Sequence, residues 1–205
     1  MRKTVTGAAG AGIMIAIGGS VFLACDNRYV GAVLFSVALL CICMMDCYLF
    51  TGKIGYAACD CSARNLITLS VGLAVNLAVT YLLGLSIRYA LPNLAEKAAV
   101  LCGAKLEQSF FVTFLRAVFC GVLMYAAVQI YKEKNSVIGI LFCIPVFILS
   151  GFEHSVADMF YYGASGILNG KIASFESAAV LGNTAGSLIL PLLFKLGGAT
   201  DSKAV

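Results

Sequence analysis

Charge is scarce in this chain: 12% of its 205 residues are Asp, Glu, Lys or Arg, and histidine occurs once, at position 154. The shortage of charge excludes an ordinary soluble domain, and the 61% hydrophobic content and mean hydropathy of +0.96 mark an integral membrane protein. The single histidine argues against a metal site. Zinc takes about four converging ligands, and most of the nine cysteines lie in apolar stretches where a thiol behaves as a small hydrophobe. Two Cys-x-Cys pairs, Cys41 with Cys43 and Cys59 with Cys61, do not supply the missing ligands. No metal and no cofactor is expected. With no cofactor motif and no soluble catalytic portion, an enzyme is not expected either; a membrane enzyme built on Glu153, His154 and a thiol, or a structural membrane subunit, is the weaker alternative. The net charge of +4 reflects topology, not nucleic-acid binding.

Crossing the hydrocarbon core takes about 20 residues at about 1.5 Å each. Six apolar segments of that length are expected, over about 6–25, 30–50, 66–87, 110–130, 137–162 and 177–196. The first, "TGAAGAGIMIAIGGS", starts near the N-terminus, but five more follow it, so it reads as a retained helix and not a cleaved signal. Its small residues suit close helix packing. With the N-terminus in the cytoplasm, Arg2, Lys3, Lys53, Arg64, Lys132, Lys134, Lys195 and Lys203 fall inside, and Arg28, Arg88, Lys97, Lys105 and Lys171 outside. The excess of inside cations predicts a multi-pass protein of the plasma (inner) membrane with both termini cytoplasmic.

One transmembrane domain over 1–205 is expected, in repeat halves of about 1–90 and 105–200. The second segment ends in a polar break, "MDCYLFTGK", and the fifth contains "GFEHSVADM". Thr51 and His154 stand 103 residues apart, and Asn76 and Asn183, in "GLAVNLA" and "VLGNTAG", stand 107 apart. Nearly the same offset maps two features at once. With three helices per half the second half is inverted, and matching interruptions in inverted halves point to a transport site near the midplane.

Ionisable groups in hydrocarbon are costly, so Glu153, His154 and Asp158 should face the bundle interior or a wet cavity. In a continuous helix His154 and Asp158 share a face, where the carboxylate would orient the imidazole. If the helix breaks, as Gly151 and Gly52 permit, free backbone amides line the cavity instead. The bland reading is a polar knot that ties helices together, with Arg116 pairing a carboxylate.

"GFEHSVADMF" resembles the fifth-helix motif of the formate/nitrite transporter family, G-F-E-H-S-x-A-N-M. "LFSVALL", followed by "LFTG", is similar to that family's second helix and its Leu-Phe-Thr loop, and "VLGNTAG" to its sixth-helix Gly-Asn motif. The resemblance implies an all-α membrane protein with six transmembrane helices in an aquaporin-like three-plus-three inverted repeat, the second and fifth helices interrupted. It also implies a homopentamer with one pore per protomer. Substrates would be small monovalent weak-acid anions: formate, nitrite, hydrosulfide or short carboxylates, moving with protons across the lipid bilayer.

By the same resemblance, His154 is the central pore histidine and Thr51 its hydrogen-bonding partner. Phe35 and Phe147 form an outer apolar constriction, Leu39, Leu49 and Phe50 narrow the pore toward the cytoplasm, and Asn76 and Asn183 are structural. Lys105 falls where the family has a buried lysine that draws anions inward. The chain departs from the pattern at Asp158, where the family has Asn, at Tyr48, where an acidic residue is usual, and at Gly121, which replaces a fourth-helix Asn. The loop after Tyr162 is short, and the N-terminal amphipathic helix of many relatives is absent or nearly so. Two mechanisms stay open: protonation of the anion at His154, whose reference pKa is about 6.5, or anion conduction past a neutral His154. Asp158 is expected to be neutral or paired with a cation such as Arg116.

Overall fold

The computed structural model describes residues 1–197, and every regular element among them is helical. In chain order these are α1 (Arg2–Ala24), α2 (Arg28–Met44), α3 (Phe50–Lys53, running on as a 3-10 turn, Ile54–Ala58) and α4 (Ala63–Ala90). Then come α5 (Pro92–Leu106), α6 (Phe110–Lys134), α7 (Ile138–Ser150), α8 (Ser155–Ser165) and α9 (Lys171–Leu196). Helices α1, α4, α6 and α9 are each long and apolar enough to cross a membrane. They cover the segments expected at 6–25, 66–87, 110–130 and 177–196.

The other two apolar segments are broken. Helix α2 has 17 residues and reaches about 26 Å, short of a roughly 30 Å hydrocarbon core. The chain then turns at Asp46, whose φ of +49° is left-handed, and restarts as α3. The fifth segment forms α7 and α8, bent by 55° across residues 151–154. Gly151 ends α7 with φ +72°, a conformation that favours a residue without Cβ, and His154 caps the start of α8.

Helix α5 had no counterpart among the six apolar segments, because Glu96, Lys97 and Lys105 interrupt its hydropathy. Its buried residues Leu94, Ala98, Cys102 and Leu106 nevertheless recur every fourth position, and Pro92 opens it. That stripe packs α5 against α8. Helix α8 also lies close on α4, where a Cβ on Gly84 would run into the Phe160 carbonyl and one on Gly163 into that of Tyr81.

Charged groups collect at two ends of α1. Lys3 and Lys53 both meet Asp46, at 3.4 and 3.7 Å, near its start, while Lys97 meets Asp26 at 3.2 Å just past its finish. Lys3 and Lys53 thus lie at one end of α1 and Lys97 at the other. In the turn before α4 the Ser62 N–H donates to Asp60 Oδ1 at 2.9 Å and holds that exposed carboxyl below its usual range. Lys203, the C-terminus and the end of the second repeat half, 198–200, lie outside the described residues.

Candidate functional site

One device holds both helix breaks. Asn76 of α4 accepts the Phe50 N–H at 2.9 Å and donates to the carbonyls of Ala8 and Tyr48 at 2.9 and 3.1 Å. Asn183 of α9 accepts the Ser155 N–H at 2.9 Å and donates to the carbonyls of Ala117 and Glu153 at 2.9 and 2.8 Å. Both side chains are wholly buried. Open backbone at membrane depth persists only where such partners satisfy it. Asn183→Leu would strand the Ser155 N–H and the Glu153 carbonyl, each at about 1–3 kcal/mol. We expect a clear drop in melting temperature of the detergent-purified protein; melting at the wild-type temperature would contradict this role.

The breaks bring Thr51 and His154 together. Thr51 lies in the first turn of α3, and its Oγ1 is 2.8 Å from His154 Nε2, with both residues buried. The other ring nitrogen, Nδ1, accepts the Ala157 N–H at 3.1 Å as the cap of α8. Nδ1 therefore carries no proton in this geometry, and a neutral ring donates from Nε2 to Thr51. Asp158 does not orient the imidazole, since both ring nitrogens are already engaged. The Phe147 ring stacks on His154, with centroids 5.7 Å apart, and Phe35 meets Phe147 edge-on at 6.3 Å.

Cavities flank this pair toward opposite ends of α2. A cavity of about 600 Å³ lies at its Arg28 end, lined by Phe35, Phe147, His154, Lys105 and Asp158 among others. A smaller one of about 50 Å³ lies at its Asp46 end, lined by Leu39, Leu49, Gly52, Lys53 and Lys132. Phe50 lines neither. Its ring packs with Ile54, Ala57 and Leu69, while its backbone N–H is the group that Asn76 holds.

The larger cavity holds a cluster of buried charge. The Lys105 ammonium is gripped by Glu153 Oε2 and by Asp158 Oδ1, the latter at 2.9 Å. Gln108 donates to Glu153 Oε1 at 2.8 Å, and the Arg116 guanidinium stands 3.9 Å from the same oxygen. The partner of Asp158 is thus Lys105, not Arg116, and Arg116 pairs with Glu153. The reason is placement: α5, unread in the sequence, lays Lys105 across the start of α8. Gln108 and Glu176 were also missed. Glu176 of α9 is buried with neither carboxyl oxygen hydrogen-bonded within the protein, and an acidic residue at the edge of an apolar run was the available signal. Gly121 has a steric reason: a Cβ there would run into the Asn183 carbonyl.

The family description "Formate/nitrite transporter" matches residues 1–197. A comparison with curated protein sequences gives no match. Among solved structures, an "FNT family ion channel" is 20% identical with a TM-score of 0.81, over 96% of this chain and 88% of that one. A "pentameric formate channel with formate bound" is 22% identical with a TM-score of 0.76, over 97% of this chain and 98% of the other.

Proposed function

Because the chain belongs to the formate/nitrite transporter family, we propose that this multi-pass membrane protein is a channel or transporter for small monovalent weak-acid anions, with formate, nitrite, hydrosulfide and short carboxylates as the substrate class. The observation that carries the reading is the buried Thr51–His154 contact between two cavities, with apolar side chains on either side. The pathway runs from the larger cavity past Phe35 and Phe147, across His154 and Thr51, and out past Leu39 and Leu49. Phe50 supports the inner narrowing from behind, through packing. Lys105, Arg28 and Arg116 supply the cations of the larger vestibule, and Glu153, Asn76 and Asn183 keep the breaks open.

Desolvation makes the neutral acid the species that crosses. A small anion in an apolar constriction loses hydration that neither Thr51 nor a neutral imidazole replaces in full, whereas the protonated acid carries no such penalty. Proton transfer at His154 itself requires the ring to leave its cap, since Nδ1 accepts from Ala157 and Nε2 meets Thr51. In its capped state the imidazole offers the passing acid a hydrogen-bonding partner between two apolar rings.

The repeated Asn device supports six spans as an inverted three-plus-three repeat in a single domain, with α2 and α3 forming the second span and α7 and α8 the fifth. Both termini would face the cytoplasm of the plasma membrane, as the cation bias has it. The pentameric relative supports a homopentamer with one pathway per protomer. Flux into liposomes holding the purified protein tests the reading. Formate, nitrite, hydrosulfide and acetate are expected to cross, and faster at acid pH, while chloride, the anion of a strong acid, is excluded. Chloride flux equal to formate flux would refute the weak-acid mechanism.

A further inference from the structure

The buried cluster around Lys105 contains more carboxyl groups than cations. Glu153, Asp158 and Glu176 are all buried, against the single, mostly buried ammonium of Lys105 and the half-exposed Arg116 beside Glu153. Full ionisation would leave unbalanced negative charge inside a membrane protein, so the cluster must hold protons. The contacts say where. Both oxygens of Glu153 are occupied, Oε1 by Gln108 and Arg116 and Oε2 by Lys105, which suits the ionised form. Glu176 has neither oxygen hydrogen-bonded in the protein and is absent from the cavity lining. Asp158 alone combines a paired and an unpaired oxygen at the vestibule wall: Oδ1 sits on Lys105, Oδ2 is buried without a hydrogen-bond partner in the protein, and the residue lines the vestibule, so a small rotation of the carboxyl group is needed to present Oδ2 to a bound anion.

We propose that Asp158 is the proton donor that converts an anion held in the vestibule into its neutral acid, an inference that rests on the weak-acid transport reading above. The anion enters beside Lys105. The O–H bond at Asp158 Oδ2 breaks, its electron pair stays on the carboxyl group, and a new O–H (or S–H) bond forms on the substrate. The resulting Asp158 carboxylate is balanced by Lys105 through Oδ1, and a proton from vestibule solvent restores the acid. One proton therefore crosses with each anion. The charged groups facing Asp158 are Lys105 of α5, Glu153 of the break, Glu176 of α9 and, through Glu153, Arg116 of α6. Cys102, Cys120, Tyr161 and Tyr162 complete its titratable surroundings. His154 lies one turn before it but has both ring nitrogens engaged.

Two measurements test the assignment. First, formate uptake into liposomes is compared for wild type and Asp158→Asn at neutral and acid pH. The variant keeps an oxygen for Lys105 but has no acid proton. Its uptake is expected to fall about a hundredfold at neutral pH, the low end of what a positioned acid contributes, and to approach wild type at acid pH, where the solution itself supplies formic acid. An equal loss at both pH values, or no loss, overturns the proposal. Absence of formate uptake by the wild type overturns instead the transport reading beneath it. Second, infrared spectra of the wild-type protein labelled with carboxyl-13C aspartate need no variant to fold. Asp158 is the one buried aspartate among the described residues, Asp26, Asp46 and Asp60 being exposed. A protonated-carboxyl band that shifts with the aspartate label and responds to formate is expected; a band that shifts only with labelled glutamate assigns the proton to Glu176 or Glu153 and overturns it.

Discussion

Lys105→Met is expected to destabilise the protein by about 3–5 kcal/mol, the usual consequence of removing one partner from a buried ion pair. The methionine fills much the same space, so the loss is electrostatic. Glu153 is 2% exposed and would keep only Gln108 and the Arg116 guanidinium, 3.9 Å away. Adding Glu153→Gln to the same chain removes the stranded charge, and most of the stability should return. Such recovery is the signature of coupling between contacting groups. Thermal melting of the four proteins in detergent measures it. A Lys105→Met protein that melts with the wild type, or a double variant no better than the single, would show that Lys105 is not held by the Glu153 carboxylate as the geometry has it.

This expectation reverses part of what the sequence suggested. By resemblance Lys105 is a buried lysine that draws anions inward; in the structure its ammonium already contacts Glu153 and Asp158. The pairing was illegible because it joins residues 48 and more positions apart through a helix that hydropathy did not register. A stripe of Leu94, Ala98, Cys102 and Leu106 was present in the sequence, but apolar length was the criterion and α5 is too charged to meet it. The broken segments were legible for the opposite reason. Hydrocarbon punishes polar residues so heavily that "MDCYLFTGK" and "GFEHSVADM" stand out without any structure. Asn76 and Asn183 could be matched by their offset; that each holds the far end of its break through three hydrogen bonds could not. Phe50 shows the limit of carrying a role across by motif. Its position in the loop was right, but its ring turns into packing while its backbone does the structural work.

His154→Ala should slow transport at neutral and acid pH alike. The ring joins the two breaks through Thr51, caps α8 through Ala157, and carries the stacked face of Phe147. Without it, nothing polar remains opposite Thr51 between Phe147 and Leu39, and the acid must cross the apolar stretch with fewer hydrogen bonds. One lost buried hydrogen bond amounts to about 1–3 kcal/mol, or roughly tenfold to a hundredfold in rate. Loosening of the α8 cap adds to this. The oligomer should survive, because the Asn183 bonds to Ser155 and Glu153 hold the break independently of the ring.

The central claim is that the buried Thr51–His154 contact lies on a route between the two cavities. Formate flux by stopped flow into liposomes, wild type beside His154→Ala and with the variant shown to be folded and assembled, tests it most directly. Saturable wild-type flux that falls at least about tenfold in the variant is the predicted result. Equal flux through both proteins would place the route elsewhere in the molecule and contradict the account.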